Sequence, residues 1–280
     1  AAWAPRAGLC LVVEGRDTIF RLGEEVTVEP RSPASAALAA LALSDDGDRI
    51  ASADARGGLA VWPAGDPGSV RARRWPGTEV LGLSFSPDGG LLALDKAGPE
   101  AGTTILDAAT LDVVATWPNV GPVAWTGPET LLVAKNAPTP ALYRRSVHRA
   151  ADQPLHAFDA PVNLIEVRGE VAVVALDDGT AMILTLTLSG GGASIAHRLK
   201  PFAGGRVHAA QLSADGRRLW TFGTEAALWS VRSGSELLRL AGPPDGRSYT
   251  GGFFDEPRQR LIALTRGGPG FVWDLGPAGR

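Results

Sequence analysis

Three stretches of this chain share one grammar: "LALSDDGDRIAS" from Leu41, "LSFSPDGGLLAL" from Leu83 and "AQLSADGRRLWT" from Ala210. Each reads as strand, tight turn, strand. Pro pre-sets φ for the first central position of a turn, and Asp and Gly tolerate the conformations that follow. One such stretch is a hairpin. Several at a fixed interval are an array, and fixed-period self-similarity constrains a fold more than any local propensity. Anchored on the residue that opens each turn, the series runs Ala4, Ser44, Ser86, Thr126, Arg168, Ser213, Asp255, with spacings of 40, 42, 40, 42, 45 and 42 residues. The copies at 126, 168 and 255 ("WTGPETLLV", "EVRGEVAVV", "FFDEPRQRLIAL") are degenerate.

A second series supports the first. Downstream of each turn lies an apolar pair: Ile19-Phe20, Val61-Trp62, Ile105-Leu106, Leu142-Tyr143, Ile183-Leu184, Leu228-Trp229 and Val272-Trp273. Both series give seven units. Within a unit, Val80 to Ser86 alternates and Leu91 to Leu94 is continuously apolar, which predicts a second strand covered on both faces. Two shorter strands follow in most units, as in "LAVWPA" and "VRARRW". No sustained 3.6-residue apolar period occurs, so helix is predicted to be scarce. Four short strands every ~42 residues predict β-propeller blades, small sheets that bury their faces on one another. The expected fold is all-β: a seven-bladed propeller of four-stranded antiparallel blades, the last blade incomplete because the chain ends at "VWDLGPAGR".

At these residues the chain resembles the WD40-repeat family. "FSPDG" at Phe85–Gly89 and "VWD" at Val272–Asp274 match the family's commonest motifs, and the resemblance covers nearly all of residues 1–280. "VWP" at 61–63 and "LWS" at 228–230 are near matches. The Gly-His pair that usually opens a family repeat is missing from every unit. The family's hydrogen-bonded network of His, Ser or Thr, Asp and Trp is therefore expected to be incomplete: Ser52, Asp54 and Trp62 supply three members in the second blade, without the His. The family closes its ring with a strand lent from the other terminus. Here that strand would precede Ala1, so residues 1–280 read as one propeller domain, the carboxy-terminal part of a longer protein.

Composition narrows the function classes. A formal net charge of −3 gives no general attraction to nucleic acid or to acidic membranes. No apolar run reaches membrane-spanning length, and the N-terminus lacks signal-peptide order. The only Cys, Cys10, sits in the apolar run "GLCLVV" and reads as a core residue, so no intrachain disulfide is available. A cytoplasmic location is the expectation.

Candidate chemistry is sparse. His148, His156, His197 and His208 form no metal pair. The first two lie on a predicted loop, and His208 is expected to be a satisfied buried residue of an inner strand. Asp45, Asp46, Asp88, Asp177, Asp178 and Asp215 occupy turns, where they read as turn formers rather than acid–base pairs. Asp45-Asp46-Gly47-Asp48 lacks the further ligands of a calcium loop. "GGG" at 190–192 opens no helix, so it is no phosphate cradle. No nucleophile–base arrangement is legible. The expectation is therefore no catalytic residue, no metal and no cofactor.

Two basic clusters remain. "RARRW" (71–75) is predicted on an outer strand running into a loop. "YRRSVHR" (143–149) is expected at a comparable outer position two blades on. Trp-Pro recurs at 75–76 and 117–118. A blunted, solvated sheet edge explains such arginines, and blade packing explains the tryptophans. The functional reading is a docking patch of Arg73, Arg74, Trp75, Trp117, Arg144 and Arg145, since Arg and Trp dominate interfaces. The leading expectation is a non-catalytic protein-interaction scaffold within a larger multidomain protein, bound by a protein partner or by other domains of the same polypeptide. A ligand- or partner-sensing propeller of a signalling protein is the alternative. A lactonase-like hydrolase ranks last, because no converging ligand set can be assembled.

Overall fold

The computed structural model describes residues 2–4, 9–14, 18–22, 26–29 and 37–276, except 76–77, 99, 150, 188–191, 257, 266–267 and 269; before residue 37 it describes backbone strands only. Cys10 therefore enters only as part of β2, and Pro76 and two residues of the "GGG" stretch lie outside the described residues.

Strands follow one another as antiparallel meanders: β1–β4, β5–β8, β9–β12, β13–β16, β17–β20, β21–β24 and β25–β27. Those used below are β5 (Leu38–Leu43), β6 (Arg49–Asp54), β7 (Gly58–Pro63), β8 (Arg71–Arg74), β9 (Glu79–Phe85), β10 (Leu91–Ala97), β11 (Gly102–Asp107), β12 (Val113–Pro118), β15 (Ala141–Ser146), β16 (Gln153–Ala157) and β21 (Ala209–Leu212). The last two sheets also use β22 (Arg218–Phe222), β25 (Tyr249–Asp255), β26 (Arg260–Thr265) and β27 (Gly270–Asp274). Among the described residues the sole helical element is one 3-10 turn, Pro67–Ser69. Among the described residues six sheets are full four-stranded blades, against the seven blades with an incomplete last one that the repeat count predicts. The seventh sheet has three strands among the described residues.

The repeated turn explains why each unit starts as it does. Ser44, Ser86 and Ser213 donate their hydroxyls to Asp46, Asp88 and Asp215 at 2.5, 2.6 and 2.6 Å. The backbone N–H groups of Arg49, Leu91 and Arg218 donate back to the same serine oxygens at 2.9 Å. The glycines that follow, Gly47, Gly89 and Gly216, have φ of 79°, 70° and 67°, a left-handed conformation that glycine adopts without the Cβ penalty. The serine hydroxyl is the foremost reason that each of these aspartates is more acidic than usual. Ser86→Ala is expected to cost about 1–2 kcal/mol, since it removes a donor and leaves the Leu91 N–H without its side-chain acceptor. Urea denaturation reads that loss, and NMR titration should show Asp88 ionising at higher pH than in the parent. An Asp88 titration identical to the parent's would show that the hydroxyl does not hold it.

The chain forms two compact units, residues 1–133 with 145–152 and residues 134–144 with 153–280. In the first, Ala51, Ala53, Leu59 and Val61 of β6 and β7 pack against Val80, Phe85, Leu92, Leu94 and Leu106 of β9, β10 and β11. The other face of the same sheet buries Ile50, Ala60 and Trp62 with Leu43. β6 is thus covered on both sides, and so is β10, as the continuous apolar run Leu91 to Leu94 predicts. In the second unit, Trp220, Phe222 and Ala226 pack against Tyr249, Phe254, Leu261 and Ala263. No helix among the described residues is long and apolar enough to cross a membrane.

Candidate functional site

A cationic surface lies on the edge strand β8, "RARR", all four residues exposed. Its position is fixed from both ends. Ahead of it, Asp66 accepts the Gly68 N–H at 3.0 Å and the Ser69 hydroxyl at 2.8 Å, which holds the 3-10 turn. Beyond it, the Trp75 N–H donates to the Gly57 carbonyl at 2.9 Å. Gly57 has φ +77°, and a Cβ there would fall 2.0 Å from the Trp75 oxygen, so this crossing requires glycine. Antiparallel register sets Arg71 opposite Val61, Arg73 opposite Leu59 and Arg74 opposite Gly58.

Side chains alternate along a strand, so Arg71, Arg73 and Trp75 share one face and Arg74 takes the other. The Arg73 guanidinium lies over the Trp75 ring, 4.9 Å from its centroid, and donates to the Leu111 carbonyl at 2.7 Å. Trp75 is half-buried against the core of Ala53, Leu59 and Val80. Leu111 has φ 63°, a conformation that costs a bulky residue of order 1–3 kcal/mol and persists when its surroundings hold it. Its buried side chain and the Arg73 hydrogen bond both do so. Arg73 therefore ties two successive sheets together, while the Arg74 side chain forms no hydrogen bond or ion pair with any described residue.

The other predicted docking residues lie elsewhere. The expected outer position for Arg144 and Arg145 is corrected: both sit on β15, the third strand of its sheet, because β16 lies outside it. Arg145 packs over the Trp117 ring at 4.4 Å and pairs with Asp152 at 3.3 Å, with side chains only 16% and 14% exposed. Trp117 is 5% exposed, the one buried residue of β12. Arg144 donates to the Thr187 carbonyl at 3.3 Å. The structure thus brings Arg73, Arg74 and Trp75 together at an exposed edge and places Trp117 and Arg145 in a separate, largely buried cation–ring pair.

The remaining groups resolve into structural roles. Asp54 accepts the N–H groups of Arg56 and Gly58, and the buried Nε1–H of Trp62 has no partner among the described residues, so the second blade's network is incomplete. In the sixth blade the Trp229 Nε1–H does reach a hydroxyl, Thr221, at 3.0 Å. His148 lies 3.5 Å from Glu129 on the surface, His156 stacks edge-on to Phe158, and His197 contacts the Arg232 carbonyl at 3.0 Å. His208 is corrected from buried strand to exposed, just ahead of β21. Asp178 accepts both the N–H and hydroxyl of Thr180, a turn role. No group of three His, Cys, Asp or Glu positioned for a metal ion occurs among the described residues.

Sequence reading placed Arg71 in the basic run but left it out of the docking set, and it did not name Arg49 of β6. Arg71 was legible from strand alternation, which puts it on the face of Arg73. Arg49, 22 residues upstream, was not, because only the pairing of β6, β7 and β8 brings it near.

No protein-family model matches the chain, and no curated protein does. Solved structures do. The chain is similar to the β-propeller domain of Cps50 (Swd1) from Myceliophteria thermophila, with a TM-score of 0.81 at 14% identity, covering 99% of this chain and 98% of that one. It is also similar to the C-terminal WD40 domain of Sif2, with a TM-score of 0.72 at 16% identity, covering 98% of this chain and 80% of that one. The fold is a β-propeller.

Proposed function

We propose that this propeller is a non-catalytic protein-interaction scaffold, working in the cytoplasm within a larger multidomain protein, and that the β8 edge docks a protein partner. Fold alone does not license this, because one fold hosts many functions. The observation that carries it is an exposed cationic edge on a chain of net charge −3, with Arg73, Arg74 and Trp75 gathered at its end. Arg presents a forked, permanently charged donor set to carboxylates, and Trp adds apolar contact area. The Sif2 domain that the chain resembles is itself a C-terminal part of its protein, which supports a place within a longer polypeptide.

The test is affinity capture with the full-length protein and identification of what binds. Arg73→Glu/Arg74→Glu is expected to weaken capture tenfold or more, equivalent to about 1.4 kcal/mol. Arg73 also bonds the Leu111 carbonyl, so its replacement should cost about 1 kcal/mol of stability, whereas Arg74→Glu alone should stay within about 0.5. Undiminished capture by the folded double variant would return these arginines to edge protection.

A further inference from the structure

Beside the basic edge lies a cavity of about 180 Å³, walled by residues of β6, β7 and β8, the 3-10 turn and the β11–β12 turn. Arg49, Arg71 and Ser69 supply its polar groups, and Val61, Pro63 and Ala108 its apolar wall. No carboxylate lines it. Arg49 uses one nitrogen, donating to the Gly89 carbonyl at 3.0 Å, which leaves the rest of its fork for a ligand. The Arg71 side chain makes no hydrogen bond or ion pair with any described residue. The nearest acidic groups are already engaged: Asp107 accepts the Ala109 and Thr110 N–H groups, Asp46 the Ser44 hydroxyl, and Asp66 the Ser69 hydroxyl.

The same fold supplies an internal contrast. Arg218 stands five residues after Ser213, as Arg49 stands after Ser44, and it too lines a cavity, of about 200 Å³. That cavity also holds Asp215 and Glu256, so its cation is offset. The lining beside β8 holds no carboxylate, and the charge of Arg49 is felt by Asp46 and Asp107 outside it, which it helps to make more acidic. The cavity's volume lies below the ~300–1,000 Å³ of a small-molecule site, and it suits one head group rather than a whole metabolite. Two guanidinium groups converging on such a space favour a planar or tetrahedral anion.

We propose that this cavity receives an anionic side chain, carboxylate or phosphoryl, from an acidic segment of a protein partner lying along β8. The inference rests on reading β8 as a partner-binding edge and names the partner's chemistry. Charge complementarity carries the choice: the edge offers Arg71, Arg73 and Arg74 in four residues, and the cavity adds Arg49.

The test uses the intact protein and three fluorescein-labelled decapeptides, alike except for a central Glu-Glu, a central phosphoserine or a central Gln-Gln. Binding is read by fluorescence anisotropy, with inorganic phosphate as competitor. At least one anionic peptide should bind tenfold or more tighter than the Gln-Gln peptide, and the tighter of the two identifies the source of the anion. Arg71→Glu should abolish that preference, Arg71→Gln should reduce it, and Arg218→Glu should leave it unchanged. Equal binding of all three peptides, or an undiminished preference in the Arg71 variants, overturns the proposal. If Arg71→Glu fails to fold, Arg71→Gln decides. Should the Arg71 variants lose the peptide while Arg73→Glu/Arg74→Glu still captures the native partner, the cavity stands and the docking reading of the edge falls. The reverse pattern sinks the cavity alone.

Discussion

Asp95→Asn is expected to make this protein more stable at pH 8 and to flatten its stability between pH 4 and pH 7. Asp95 lies on β10, largely buried, accepting the Thr103 hydroxyl at 2.6 Å and the Val123 backbone N–H. Burial is the main cause that pushes its carboxyl up from 3.8 to about 6, and the Thr103 hydrogen bond only partly opposes it. In the unfolded chain the group ionises near 3.8; in the folded protein it holds its proton until about 6. Between those values the folded state binds a proton that the unfolded state has released. Stability therefore falls as pH rises from about 4 to about 6, and the full penalty persists above. A shift of roughly two pH units corresponds to about 3 kcal/mol.

Asparagine keeps an acceptor for Thr103 and the backbone and cannot ionise. Its added N–H donors must be seated, so the net gain at pH 8 should be about 1–3 kcal/mol. Chemical denaturation of both proteins at pH 4, 6 and 8 measures it. A variant with the parental slope across this range would show that Asp95 is not the group responsible. Below about pH 4 the trend reverses. Asp46, Asp88, Asp107, Asp178 and Asp215 are held more acidic than usual. Their stabilisation is present above 3.8 and is lost as pH falls through their folded-state values. All five are near the surface, so this limb should be shallow beside that of Asp95.

The second large effect is in the core between the sixth and seventh sheets. Phe222 is fully buried, stacked with Trp220 at 6.4 Å and packed against Tyr249 and Leu261. A Cβ on Gly252 would sit 2.3 Å from its ring. Phe222→Ala should cost about 3–5 kcal/mol through lost burial and the cavity left behind. Gly252→Ala should cost about 1–3 kcal/mol by overpacking. The two share one space, so the added methyl enters the hole that the ring vacates. The double variant should therefore lose less than the two single losses combined, by about 0.5–3 kcal/mol. Urea denaturation of all four proteins closes the cycle. Strict additivity would mean that Gly252 is not there to admit the Phe222 ring.

Particular residues show what was readable in the chain. The Ser-x-Asp-Gly turns at 44, 86 and 213 were legible because their bonds close within five residues, so local spacing carries all the needed information. The doubly covered second strands were legible because period-2 burial fails there, and Leu91 to Leu94 writes that failure into the sequence. The basic run of β8 was legible as an exposed edge, because charges on three of four successive positions put a charged side chain on both faces of the strand. Arg144 and Arg145 misled, since a charged third strand and a charged fourth strand look alike until pairing assigns β16 to the outside. Trp75 and Trp117, alike in their Trp-Pro context and both at the outermost strand of a sheet, still differ in burial, Trp117 lying only 5% exposed beneath the Arg145 guanidinium.

By itself, then, the sequence determined the repeat, its turns, its strand content and the sign of charge along one strand, all properties set by neighbours a few residues apart. Only the tertiary structure decided what those charges meet. Arg73 found the Leu111 carbonyl 38 residues away, and Asp95 gained its raised pKa from packing that no local pattern records. Arg49 and Arg71, 22 residues apart in sequence, share a cavity only because β6, β7 and β8 lie side by side. Long-range pairing converts distance along the chain into contact, and local patterns carry no measure of it.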